Sequence, residues 1–348
     1  MLNNLFSYAT NELSQDAFLC WLLSFAVKGC NKDAALKSCA QEFLRIFTNI
    51  PENEDIYLSE PPQRQYKHID ILLTVNNRYK VIIEDKTDTS EHDDQLKIYW
   101  DTVRADFSFD EIVDVYGVYF KTGYQSDLSA VEKAGYLYFG RDDILSILQK
   151  YADTIQNDIF QDYYAHLESF AQTAGTYSKL PIREWGWQQV YEFYEACKKE
   201  LSYTNMGMQY GYVHNPSGGL DAMWIYHKDC FVTFDNLQYE LYLQCEFASK
   251  EMKIRYRASA LDDKIYGERR DRLIWKQKNG QWEDVAKDNN FIKAGKYGSG
   301  KSVALGVYRE PCETADGALQ AIKHAILDFK KLVAQIKEDA SVMSDVIV

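Results

Sequence analysis

Apolar positions recur at helical spacing over Asn11–Lys28 (Leu13, Ala17, Leu19, Cys20, Leu22, Leu23, Ala26), with Thr10 placed to cap the N-terminus. The same period returns over Asp33–Phe47 and stops before Pro51. Two aliphatic runs of strand character follow, His68–Val75 and Tyr79–Lys86, joined by Asn76-Asn77-Arg78. Those joining residues suit a tight hairpin, so the two strands are predicted to pair antiparallel. Helical spacing resumes over Asp93–Ala105; Val113–Lys121 and Gly135–Phe139 read as strands, and Asp142–Ala174 reads as mainly helical. The first half is thus α-α-β-β-α-β-β-α, an α/β pattern.

The pattern changes near Thr176–Pro181. After one more helix, Ile182–Leu201, come five strand-like runs: Met206–Val213, Ala222–His227, Cys230–Phe234, Glu240–Phe247 and Met252–Ala258. They predict an antiparallel sheet dense in aromatics (Tyr210, Tyr212, Trp224, Tyr226, Phe231, Phe234, Tyr239, Tyr242, Phe247, Tyr256), and a long helix over Ala315–Lys337 closes the chain. The expected division is 1–178, an α/β domain, and 179–348, an α+β domain that serves a substrate or a partner.

Composition narrows the class. With 348 residues, 46% hydrophobic and 26% charged, the chain can bury a large core without disulfides or structural metal, which excludes disordered and low-complexity readings. The longest apolar stretch, Ala17–Val27, is broken by Ser24 and falls short of the roughly 20 residues of a membrane span. No basic segment precedes it as in a signal peptide, so a cytoplasmic protein without membrane contact is expected. Seven cysteines, with no C-x-x-C pair, read as reduced thiols. Net charge is −13, which argues against a polyanion partner until its distribution is considered. Residues 1–180 carry 16 basic and 28 acidic side chains, whereas 250–301 carry 14 and 8, so a phosphate-binding surface is expected in the second half.

Candidate chemistry concentrates between Asp70 and Tyr99. Asp70 lies inside Ile69-Asp70-Ile71-Leu72-Leu73, where an unpaired buried charge would be costly, and Val81-Ile82-Ile83-Glu84-Asp85-Lys86 also ends in charges. Side chains alternate across a strand, so Glu84 and Lys86 share one face and Asp85 takes the other. Across the hairpin Asp70 can lie beside Glu84, and two close carboxylates call for a cation. Hard oxygen donors suit Mg²⁺ or Mn²⁺. Lys86 would then orient or deprotonate the attacking water, or neutralise charge growing on phosphorus.

These residues resemble the PD-(D/E)xK nuclease superfamily: Asp70, a hairpin, then Glu84-Asp85-Lys86. Gln95-Leu96-Lys97-Ile98-Tyr99 is similar to the Q-h-x-x-Y helix of its RecB-like branch, and the helix beginning Asn11-Glu12-Leu13 resembles the start of uncharacterised bacterial members. The resemblance, over roughly residues 8–145, implies a restriction-endonuclease-like αβββαβ core and Mg²⁺- or Mn²⁺-dependent hydrolysis of phosphodiesters. It implies Asp70 and Glu84 as metal ligands with the main-chain carbonyl of Asp85 as a third, Lys86 activating water, and Glu12 holding a second metal or water. Gln95 and Tyr99 would support the site or touch the nucleic-acid backbone. Ile69 stands where the pattern has Pro.

Two further features have competing readings. Gly295–Ser302 fits the phosphate-loop expression G-x-x-x-x-G-K-[ST], but Val303–Tyr308 reads as a strand where a nucleotide site needs a helix, so a hairpin turn is expected. The aromatic sheet could stack on bases, with Arg255, Arg257, Arg269, Arg270, Arg272 and Lys301 following the backbone, or could simply be a half-buried core. The expected function is a metal-dependent deoxyribonuclease in bacterial or phage-related DNA defence or processing, with DNA ahead of RNA as partner. The alternative is a catalytically silent nuclease-fold assembly module. Either leaves room for a second copy or a partner subunit.

Overall fold

The computed structural model describes all residues except 1–2, 10–11, 88–93, 108–111, 215–217, 235–236, 261–267, 269, 272, 275–281, 296–300 and 345–348. It divides into two compact units, Met1–Gln172 and Thr173–Val348.

In the first unit, α1 (Glu12–Ser24) and α2 (Ala34–Thr48) precede three antiparallel strands: β1 (Gln63–Tyr66), β2 (Ile69–Val75) and β3 (Tyr79–Lys86). Then α3 (Gln95–Asp106) crosses to β4 (Asp114–Lys121), and α4 (Ser129–Lys133) leads to β5 (Leu137–Gly140). The sheet order is β1-β2-β3-β4-β5, with β3, β4 and β5 parallel. Helices α5 (Arg141–Tyr151) and α6 (Asp158–Gln172) complete the unit.

The sequence explains these elements locally. Asp33 caps α2, its carboxylate accepting from the N–H groups of Ala35 and Leu36 at 2.9 and 3.0 Å. At the β2–β3 turn Asn76 and Asn77 take φ of 52° and 55°, the left-handed region that Asn tolerates, and Asn76-Asn77-Arg78 form a three-residue loop between the paired Val75 and Tyr79. This turn fixes the register at Ile71↔Ile83, Leu72↔Ile82 and Leu73↔Val81. The sheet is covered on both faces. One face packs Ile71, Leu73, Val81, Ile83, Val118 and Phe120 against α1, α2, α5 and α6, and the other packs Leu72, Ile82 and Tyr119 against Leu96, Tyr99 and Val103 of α3. Each such buried aliphatic or aromatic side chain contributes about 1.5–3 kcal/mol.

Strand β1 is absent from the hydrophobic pattern because Gln-Arg-Gln-Tyr is polar, as an edge strand tolerates. It supplies the third strand of the αβββαβ order. Thr10, expected as a cap, lies outside the described residues.

The second unit begins with α7 (Trp187–Glu200), shorter than the expected helix over 182–201 because Gly186 caps it and 182–184 form a separate 3₁₀ turn. Its sheet is antiparallel, from β6 (Gly207–Val213), β7 (Leu220–Tyr226), β8 (Phe231–Phe234), β9 (Leu237–Ala248), β10 (Glu251–Ala260), β11 (Phe291–Lys293) and β12 (Ser302–Tyr308). The order is β11-β12-β10-β9-β7-β6, with β8 also on β9. Helices α8 (Trp282–Asp288) and α9 (Ala315–Ser344) follow the strand-rich part. The α9 residues Ala318, Ile322, Ile326 and Phe329 are buried, as are Leu243, Ile254 and Tyr256 in the sheet. No described helix is long and apolar enough to cross a membrane.

Candidate active site

Strand β3 carries its three terminal side chains alternately to two faces. Glu84 and Lys86 share the face of Ile82, and Asp85 shares the face of Ile83 with α1. All three are buried, at 0%, 7% and 0% exposure for Glu84, Lys86 and Asp85. Lys86 Nζ donates to Glu84 Oε1, and Glu84 Oε2 is buried without a hydrogen-bond partner. Regular pairing of β2 with β3 stops at Ile71↔Ile83, and there the Asp70 carboxylate takes over: Oδ2 accepts from the Asp85 N–H at 3.0 Å, and Oδ1 accepts from Gln65 Nε2 at 3.2 Å. Asp70 therefore stands beside Glu84. Burial and then this neighbouring carboxylate push Glu84 up to about 8, against the pull of Lys86. For Lys86, burial lowers the amine's pKa, but Glu84, Glu12 and Asp70 outweigh it and hold the group above its ordinary value. Lys86 is thus a cation at neutral pH, better suited to orienting or neutralising than to taking a proton.

Glu12 opens α1 and reaches this strand end, its Oε1 accepting from the Thr87 N–H at 3.2 Å. On α3, Gln95 Nε2 donates to Tyr99 Oη at 2.7 Å. Burial raises the Tyr99 phenol against the pull of the Gln95 hydrogen bond, with Glu84 and Asp70 adding to the rise. The structure thus gathers Asp70, Glu84, Lys86, Glu12, Gln95 and Tyr99 at one end of the sheet. Asp85 presents its carboxylate to the opposite face.

Sequence reasoning missed what lies on that opposite face. Gln15 Nε2 donates to Asp85 Oδ1, and Gln15 Oε1 accepts from Thr122 Oγ1 at 2.7 Å and Tyr163 Oη at 3.3 Å. Asp16 is 1% exposed, with Arg64 Nη2 at 3.6 Å from Oδ2. Asp16 Oδ1 and Asp85 Oδ2 are both buried without hydrogen-bond partners. Burial pushes Asp16 up to about 6, helped by Asp70, and burial with Asp16 alongside holds Asp85 well above the usual carboxylate range. The available signal was spacing: Gln15 and Asp16 lie three and four residues after Glu12, on one helical face. Also missed was Lys121, fully buried at the end of β4 in register with Lys86, its Nζ donating to Thr87 O at 2.7 Å.

The donor set fits a hard divalent cation. Two carboxylates repel at close range, and one buried oxygen lacks a hydrogen atom to accept. Among the described residues no three His, Cys, Asp or Glu side chains converge on one point. A cation here would take Asp70, Glu84, a main-chain carbonyl and water, a coordination that Mg²⁺ tolerates.

The chain matches a family model, the PD-(D/E)XK nuclease superfamily, over residues 3–210. It belongs to that superfamily. The match covers more than half of the chain and extends beyond the first unit through α7 into β6. Nuclease activity and general use of divalent metal follow at the level of the superfamily. No curated protein and no solved structure matches the chain.

In the second unit Arg255 and Arg257 do come together, on the sheet face opposite buried Ile254 and Tyr256, but around an acid. Glu246 accepts from Arg255 Nε at 2.6 Å and from Arg257 Nη1 at 3.0 Å. Trp224 Nε1 donates to Gln244 Oε1 at 3.1 Å, and Tyr242 is hydrogen-bonded to Ser302. Tyr210, Tyr239, Phe247 and Tyr256 are buried, so part of this aromatic group is core. Arg270 pairs with Asp271 at 2.9 Å, and Lys301 is exposed at the start of β12. Arg269 and Arg272 lie outside the described residues. The Gly-rich segment lies between β11 and β12, which pair antiparallel, so a strand stands where a nucleotide loop would need a helix; the turn expected there falls on residues 296–300, outside the described residues.

Proposed function

We propose that this protein is a Mg²⁺- or Mn²⁺-dependent deoxyribonuclease serving DNA defence or processing. Asp70 and Glu84, with the main-chain carbonyl of Asp85, are its metal ligands. The observation that carries this reading is the buried Glu84 carboxylate, one oxygen held by Lys86 and the other without a partner, beside Asp70. A bound divalent cation polarises the phosphodiester and lowers the pKa of its water.

The chain's own residues supply the rest. Glu84 holds a proton near neutral pH when no cation is present, and releases it as one binds. Lys86, kept cationic, orients the nucleophile and offsets charge on the phosphoryl oxygens. Glu12 steadies the strand end through Thr87 and stands ready for a second ion or water. Gln95 and Tyr99 form a hydrogen-bonded pair on α3 that supports the acid pair and meets the backbone. Grip on DNA is assigned to the basic 250–301 segment, with Arg255, Arg257, Arg270 and Lys301 as its described members. Because Glu246 already occupies Arg255 and Arg257, the remaining charge of that pair is small, and phosphate must compete with a carboxylate.

The test is cleavage of linear and circular DNA, and of RNA, in EDTA, Mg²⁺ and Mn²⁺, with Lys86→Ala in parallel. Metal-dependent DNA cleavage that Lys86→Ala abolishes, while its far-UV circular dichroism and Mn²⁺-induced rise in Tm remain, supports the proposal. Cleavage by Lys86→Ala at the wild-type rate sinks the role of Lys86. Absence of any Mn²⁺-dependent rise in Tm in the wild type favours the silent module.

A further inference from the structure

The end of β4 holds a buried pair that the family resemblance leaves without a role, Lys121 and Thr122. Lys121 is fully buried and in register with Lys86, so both amines lie on one face of neighbouring parallel strands. A buried amine is expensive to desolvate, and its position must therefore be well supported. Lys121 Nζ donates to Thr87 O at 2.7 Å, and the N–H of the same Thr87 donates to Glu12 Oε1 at 3.2 Å. The next residue works in parallel. The Thr122 N–H donates to Lys86 O at 3.2 Å, while Thr122 Oγ1 donates to Gln15 Oε1, whose amide in turn holds Asp85. Lys121, the last residue of β4, and Thr122 just after it thus grasp consecutive carbonyls, Thr87 and Lys86. Through them they connect the β3 terminus to two side chains one helical turn apart on α1.

From this arrangement we propose that Lys121 is a positioning residue of the nuclease site. Its amine holds the Thr87 carbonyl, while the Thr122 N–H holds the Lys86 carbonyl in the peptide plane that carries the Thr87 N–H; Lys121 thus fixes the Thr87 backbone from its far side, and that backbone sets where Glu12 stands relative to Lys86 and the Asp70–Glu84 pair. Lys121 is too deeply buried to touch a substrate phosphate, so it acts through Thr87 and Glu12. The functional consequence rests on the metal-dependent reading above; the positional claim does not.

Lys121→Met keeps the length and apolar stem of the side chain and removes only the amine, and Lys121→Arg restores a donor. Lys80→Met is the control. Lys80 is buried on the same face of β3, six residues before Lys86, and donates to Thr74 Oγ1 at 2.7 Å, away from the site. Three measurements are made on the full chain: Tm in EDTA, hydrogen exchange of peptides spanning Thr87 in EDTA, and the Mn²⁺ concentration giving half the maximal rise in Tm. Lys121→Met is expected to speed exchange at Thr87 about tenfold or more and to raise the Mn²⁺ midpoint by about 10–100-fold, the range for partners that orient metal ligands. It should lower kcat with KM for DNA unchanged. Lys121→Arg should recover part of each effect. Lys80→Met should lower Tm in EDTA and leave both Thr87 exchange and the Mn²⁺ midpoint at wild-type values.

Wild-type exchange at Thr87 in folded Lys121→Met overturns the proposal, as does an equal effect from Lys80→Met. Should Lys121→Met fail to fold, Lys121→Arg decides: a raised Mn²⁺ midpoint with Thr87 exchange at the wild-type value would overturn it too, since the metal response would then be disturbed without any change in the Thr87 backbone. A wild type that shows no Mn²⁺ response overturns the metal reading alone, because the exchange comparison in EDTA still decides whether Lys121 positions Thr87.

Discussion

Glu84 and Asp16 are acids whose protons the fold retains, and that has a sign. Both are raised, to about 8 and about 6, so the folded protein binds protons more tightly than the unfolded chain does. Their stabilising contribution is complete below about pH 4 and is lost as pH rises through 6 and then 8, at about 1.4 kcal/mol for each tenfold gain in proton affinity on folding. In EDTA, Tm should therefore fall between pH 5 and pH 9. Saturating Mg²⁺ should flatten the fall, because under the proposed ligand set the cation would replace the Glu84 proton. Below pH 8 the apparent metal affinity should rise with pH, about tenfold for each pH step of one when a single proton is displaced. A Tm in EDTA that rises over this range would contradict the assignment. Asp85→Asn makes a second test. Asparagine keeps an acceptor for Gln15 and gains a donor toward Asp16, satisfying two orphan oxygens, so stability in EDTA at pH 8, followed by Tm, should rise by about 1–3 kcal/mol with cleavage retained. At this scale the sequence was legible where alternation decided the face, as for Glu84, Asp85 and Lys86. It was illegible for Gln15, Asp16, Lys121 and Thr122, whose meaning depends on which ends of α1, β3 and β4 meet.

The elements were read well where a single period dominated. Strand β3 spans Tyr79–Lys86 as its aliphatic run indicates, and β12 follows the Gly-rich segment as a strand. The polar β1 was invisible, since an edge strand needs no apolar face of its own. The helix expected over 182–201 is divided at Gly186, where a capping glycine outweighs the apolar spacing on either side. A prediction belongs to β4. A Cβ on Gly117 would lie 2.7 Å from the Tyr136 ring, whose hydroxyl donates to Leu96 O of α3 at 2.9 Å. Gly117→Ala must push that ring toward the helix bearing Gln95 and Tyr99. It should cost about 1–3 kcal/mol by denaturant unfolding, with a fall in cleavage at saturating metal. Unchanged stability would mean that the ring has room to retreat.

For the molecule as a whole, the family match and the division into units do not end at the same place. The match continues to residue 210, but the first unit closes at Gln172. Residues between them include α7, whose Val190, Phe193, Tyr194 and Cys197 are buried, and β6, whose hydrogen-bond partner is β7. A fragment ending at Gln172 should be soluble and show the full-length Mn²⁺ midpoint. One ending at residue 210 should aggregate, because it exposes that helix face and an unpaired strand edge. Size-exclusion chromatography of the two fragments separates these outcomes. The charge asymmetry was legible at this scale, yet its placement was not: two of the arginines expected to face phosphate are drawn around Glu246 instead.

The Asn76–Asn77 turn carries a consequence for engineering. Because it sets which residue of β3 stands opposite Asp70, deleting one residue of Asn76-Asn77-Arg78 with the loop length kept would slide the strand by a single position and exchange Glu84 for Asp85 at that end. A carboxylate would still occupy the place, while the amine two residues on would turn to the far side. The hairpin thus works as a gauge: the spacing along the chain, as much as the identity of the acids it separates, decides whether a lysine accompanies them.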